Sequence, residues 1–116
     1  MFAQAIAIVS DLIFSTKISS TASSLGVNVR TVRRPETLEE VLKEPPALAI
    51  VDLEAESLDA LEAIRSMHAV RPRPRIVAFA AHVEKDLIQA AREAGADEVL
   101  ARSAFVHRLP ALLSGE

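Results

Sequence analysis

Two rhythms of apolar residues alternate along this chain. One is a set of short unbroken runs: Ala5-Ile6-Ala7-Ile8-Val9, Ala47-Leu48-Ala49-Ile50-Val51 and Ile76-Val77-Ala78-Phe79-Ala80. Runs of about five apolar residues read as strands covered on both faces, the kind found in parallel sheets. Val27-Asn28-Val29-Arg30-Thr31-Val32 instead alternates with period two, as a half-exposed edge strand does, and Glu98-Val99-Leu100-Ala101 is a short fifth strand.

The second rhythm has helical spacing. Phe14, Ile18, Ala22 and Leu25 form one stripe, stopped by Gly26, a residue tolerant of positive φ. Leu38, Val41 and Leu42 form the next. Pro35 predicts its start, because a missing N–H costs little in a first turn, whereas Thr37 and Glu40 match a capping box two residues later. Leu58, Leu61 and Ile64 predict a third helix with Ser57 as N-cap. Val83, Leu87, Ala91 and Ala94 predict a fourth, ended by Gly95, and Phe105 to Leu113 a short last helix whose first turn is limited by Pro110.

The order is βαβαβαβαβα with short links. Right-handed crossovers between parallel strands then bury both sheet faces. The expected fold is α/β, flavodoxin-like: a doubly wound five-stranded parallel sheet in the order 2-1-3-4-5, one domain over residues 1–116. In such sheets ligands gather at the carboxyl edge. Asp52 ends the second apolar run, so it is a carboxylate placed where that strand surfaces.

Composition narrows the function. Half of the 116 residues are apolar, a quarter are charged, and the net charge is -3. That balance is ordinary for a globular protein and gives no electrostatic case for nucleic acid. With no cysteine there is neither a disulfide framework nor a thiolate metal site. Met1-Phe2-Ala3-Gln4 lacks the basic stretch of a secretory leader, and Ala5 to Val9 is too short to span a membrane, so a cytoplasmic protein without a membrane partner is expected. Four Phe and no Trp or Tyr give little for base stacking. No Gly-rich dinucleotide fingerprint, phosphate loop, nucleophile elbow or paired-His metal helix occurs, so no enzyme is expected.

Three segments in sequence resemble the receiver domains of two-component response regulators (the CheY-like family), over nearly the whole chain. Ile8-Val9-Ser10-Asp11 resembles the first strand with its acidic pair. Leu42 to Leu53 resembles the approach to the phospho-accepting aspartate. Ala91-Arg92-Glu93-Ala94-Gly95-Ala96-Asp97-Glu98-Val99-Leu100 resembles the helix and turn before the family's lysine.

The resemblance implies a phosphorelay module in which a histidine kinase phosphorylates an aspartate beside magnesium. It makes Asp52 the acceptor position and Asp11 the surviving acid. Ser10 takes the other acidic position, Ala80 the hydroxyl position, Arg102 the lysine position, Ser103 the following proline and Val99 the aromatic switch. Asp11 and Asp52 alone keep the usual groups. Magnesium commonly uses one or two carboxylates plus waters, so the pair could supply that minimum. Ala80 offers a phosphoryl oxygen no side-chain donor. Arg102 carries a planar, permanent charge that forks onto carboxylates, and is expected to clamp Asp52, Asp11 or both.

Three functions follow. The first is a stand-alone, degenerate receiver (a pseudo-receiver) that acts as a signalling or protein-interaction module, requires no cofactor, and is a monomer or weak homodimer. The second is a working receiver phosphorylated on Asp52 with magnesium on Asp11 and Asp52. The third is a small enzyme or ligand-binding protein using Asp11, Asp52, His82 and Arg102. His82 follows the fourth strand near the same edge, as a ligand or pH-sensitive latch or as a plain loop residue. His68 suits a helix carboxyl end, and His107 the surface. Glu54, Glu56 and Asp59 either extend a cation site or are solvated, and the helix dipole alone accounts for Asp59. The hydroxyl-rich first helix (Ser15, Thr16, Ser19, Ser20, Ser23, Ser24) suits either close packing with a partner or ordinary solvation.

Overall fold

The computed structural model describes residues 4–116. Met1 to Ala3, on which the expected lack of a leader partly rests, lie outside the described residues. The order is β1 (Ala5–Ile8), α1 (Leu12–Ser24), β2 (Val29–Thr31), α2 (Pro35–Val41), β3 (Leu48–Asp52), α3 (Ala60–Ala69), β4 (Arg75–Ala80), α4 (Lys85–Ala94), β5 (Glu98–Ala101) and α5 (Arg102–Leu113). All strand pairs are parallel and the sheet order is β2-β1-β3-β4-β5, as the alternation of patterns predicts.

β1 and β3 are buried along their whole length, and β4 at all but its first residue, whereas the edge strands β2 and β5 have no fully buried position. Each sheet face has its own core. Ile6, Ile8, Val51, Ile64, Met67 and Ile76 meet α2, α3 and α4 on one side. Ile18, Ile50, Phe79, Phe105 and Leu109 meet α1 and α5 on the other. Full burial of such side chains stabilises the fold by about 1.5–3 kcal/mol each.

Some helix ends match the sequence expectation and others depart from it. Leu25 is not part of the α1 stripe; it is 43% exposed, and the small Ser15 turns inward instead. Gly26 does end α1, with φ +70° and the Val27 N–H returning to the Ala22 carbonyl. Pro35 is the first residue of α2 and Arg34 its cap, so the Thr37–Glu40 box does not set that boundary. α3 is capped by Asp59, whose carboxylate accepts from the Glu62 N–H at 3.1 Å, and not by Ser57.

α5 is longer than expected. It begins directly after β5 at Arg102, and Pro110 lies inside it rather than in its first turn. An interior proline forfeits one helical hydrogen bond. Burial of Leu109, Leu112 and Leu113 offsets that loss and carries the helix on to Leu113.

His68 lies in the last turn of α3, as its dipole reading implies. Its ring packs on Gly95, where φ is +125° and an added Cβ would come within 2.6 Å of the imidazole. That close approach, together with the backbone angle, explains glycine at the end of α4.

Candidate functional site at the carboxyl edge

The ends of β1 and β3 and the start of α5 converge on one open cleft, lined by Ser10, Asp11, Asp52, Glu54, Glu56 and Arg102. The topology does this: β1 and β3 are neighbours, and α5 starts at the carboxyl end of β5.

Asp52 is buried, 3% exposed. Its Oδ1 accepts a hydrogen bond from the Glu54 N–H at 2.9 Å, and its Oδ2 lies 3.9 Å from Arg102 Nη2. Burial pushes its carboxyl above the ordinary value of 3.8, and the negative charges of Glu54 and Asp11 add to the rise. The Glu54 N–H and the Arg102 charge oppose it without cancelling it.

Arg102 does not fork onto either carboxylate as expected. At 3.9 Å its approach to Asp52 is an ion pair beyond hydrogen-bond range, and no ion pair joins it to Asp11 among the described residues. The guanidinium instead stands 5.0 Å over the Phe14 ring, and its buried Nε has no hydrogen-bond partner. Phe14, Phe79 and Phe105 form a cluster with centroids 4.4–5.9 Å apart. The cation thus lies against this cluster at Phe14 as well as beside Asp52.

Asp11 caps α1. Its Oδ1 accepts from the Ile13 and Phe14 N–H groups at 2.8 and 3.2 Å. Ser10 is a staple. Its Oγ accepts from the Glu56 and Ser57 N–H groups and donates to Ser57 Oγ, so it fixes the loop between β3 and α3.

Ala80 is buried at the end of β4, beside Ala101 of β5. Ser103 is exposed in the first turn of α5. Val99 is half-buried against the α4-side core. His82 is exposed in the β4–α4 link and does not line the cleft; His107 is exposed on α5. The expected four-residue pocket therefore reduces to Asp11, Asp52 and Arg102.

Sequence reasoning missed two features. The Glu54 carboxylate accepts from the Ala81 N–H at 2.6 Å, tying the β3–α3 loop to the end of β4. Its partner is a backbone amide, which leaves no mark in a sequence. Leu12 and Ile13, beside Asp11, are 70% and 84% exposed. Their place at the start of α1 is the signal that could have found them, because both fall outside the helix's buried stripe. The hydroxyl-rich face of α1 is partly self-satisfied: Thr16, Thr21 and Ser24 donate to carbonyls four residues back, and Ser15 is buried near Thr31.

For a divalent cation the fit is poor. Asp11 is committed to helix amides, Ser10 to a loop, and a fixed positive charge faces Asp52. Among the described residues no cluster of three or more His, Asp or Glu could hold a metal ion.

A flavodoxin-like five-stranded α/β sheet with a carboxylate at the carboxyl end of its middle strand defines the class. Within it, the chain has the fold of the response-regulator receiver (CheY-like) domains. The receiver domain protein (CheY-like) of Methanospirillum hungatei superposes with a TM-score of 0.79 at 15% identity, covering 99% of this chain and 96% of that one. In sequence the chain is similar to transcriptional activator protein ExaE of Pseudomonas putida, 33% identical over 83 residues, which is 68% of this chain and 39% of that protein. It is also similar to sporulation initiation phosphotransferase F of Bacillus subtilis, 31% identical over 61 residues, which is 53% of this chain and 49% of the relative. Both matches thus span less than half of the curated relative's length. No family model matches the chain. Among the described residues no helix is long and apolar enough to cross a membrane.

Proposed function

We propose that this chain is a single receiver-like domain, acting in the cytoplasm as a non-enzymatic signalling and protein-interaction module whose output does not depend on conventional phosphorylation of Asp52. One observation carries the reading: the Arg102 guanidinium, seated on Phe14, lies 3.9 Å from the Asp52 carboxylate. Phosphoryl transfer rests on positioning and charge stabilisation, and commonly on a bound metal. Here a resident cation competes for the cation position, the second acid is Ser10, and Ala80 brings no hydroxyl. Asp11 and Asp52 could still contact magnesium, but no step of this function requires it.

The partner is a protein. Two large apolar side chains, Leu12 and Ile13, stand exposed beside the cleft, a feature suited to docking. The net charge of -3 gives nucleic acid no electrostatic hold. A monomer or weak homodimer suffices for this role.

A second reading, a receiver phosphorylated on Asp52, is favoured by one fact: Asp11 and Asp52 line the same cleft. Incubation with magnesium and acetyl phosphate, followed by intact mass spectrometry, separates the two. The expected result is an unmodified chain. A phosphoryl adduct that disappears in Asp52→Asn would favour the second reading. The ligand-binding reading draws no support from His82, which stands away from the cleft.

A further inference from the structure

We propose that Glu54 is a built-in strap that holds the carboxyl-edge loops in one arrangement without any external ligand. This rests on the reading above, in which no phosphoryl group organises those loops. Asp52 Oδ1 fixes the backbone of Glu54. The Glu54 side chain then reaches across the sheet edge and accepts from the Ala81 N–H at 2.6 Å. At the other end of the same loop, Ser10 Oγ holds the Glu56 and Ser57 N–H groups, and Asp59 caps α3.

The segment after β3 is therefore pinned to β1 by Ser10 and to β4 by Glu54. A carboxylate accepting from a backbone amide makes a charge-assisted bond, roughly twice as strong as a neutral one. The first residue after β4 is thus satisfied by the protein's own anion. An incoming anion would have to displace Glu54 and would also meet the charges of Asp11 and Glu56 in the cleft. The strap both fixes the loops and excludes such ligands. Glu54 touches no reacting atom and is a positioning residue.

Amide hydrogen exchange followed by NMR on the full chain tests this. Loss of the bond in Glu54→Ala should speed exchange at Ala81 about tenfold or more, the equivalent of one net hydrogen bond. Glu54→Gln, whose carbonyl can still accept, should stay nearer the parent. The Ile76 N–H, bonded to Asp97 at the opposite end of β4, serves as the control and should not change. Unchanged exchange at Ala81 in Glu54→Ala would overturn the strap, as would an equal rise at Ile76, which would report general loosening. Failure of the phosphorylation-independent reading is seen separately, as a phosphoryl adduct on the parent chain.

Discussion

The two ends of this sheet carry the same chemical types, carboxylates and guanidinium groups, and use them in opposite ways. At the amino edge Arg73 forks onto Asp97 with bonds of 3.0 and 2.9 Å, and Asp97 also accepts from the Ile76 N–H at 2.8 Å. Arg75 and Arg108 both donate to Glu98. The arginine hydrogen bonds hold both carboxyls below the ordinary carboxylate range. At the carboxyl edge Arg102 faces Asp52 at 3.9 Å, its Nε has no partner, and burial holds the Asp52 carboxyl above its ordinary value. A satisfied edge fastens the fold; the other edge keeps an acid and a cation that geometry has not neutralised.

The comparison can be broken by experiment. The largest effect is expected at the amino edge. Asp97→Ala removes the partner of Arg73 and leaves the Ile76 N–H without an acceptor, so it should cost about 1–2 kcal/mol in urea unfolding at neutral pH. Because the Asp97 carboxyl is lowered in the folded state, its contribution is present above the unfolded value and lost as pH falls through the folded one. The difference between parent and variant should therefore close in acid. A gap independent of pH would mean that packing, not charge, is lost.

A smaller effect of opposite sign is expected at Asp52. Its folded value is raised, so its contribution is complete below the unfolded value and is lost as pH rises through the folded one. At neutral pH the buried charge is a cost. Asp52→Asn should be as stable as the parent, or more stable by up to about 1 kcal/mol, with the gain fading in acid. A loss of roughly 3 kcal/mol would instead identify a tight buried ion pair with Arg102.

Legibility followed the same division. The strands and their order could be read because each apolar run had no competing period, and right-handed crossovers leave few topologies. The start of α5 could not: Arg102 and Ser103 are polar and read as a link, yet they form its first turn. Ser57 and Asp59 are both good caps, and sequence offered no way to choose; Ser57 is occupied by Ser10. The place of Asp52 was legible from its strand end, whereas Ser10, Asp11 and Arg102 were brought beside it only by the resemblance to receiver domains. The stance of Arg102 was not legible, because Phe14 and Arg102 come together only in the fold. His82 shared the right edge but lies in a link whose side chain points to water.

The most direct measurement is a beryllofluoride titration of the full chain with and without magnesium, read from the amide signals of Glu54, Ala81 and Arg102. The account predicts no saturable change under either condition. Magnesium-dependent, saturable shifts that vanish in Asp52→Asn would contradict it and make the cleft a working phosphoacceptor site.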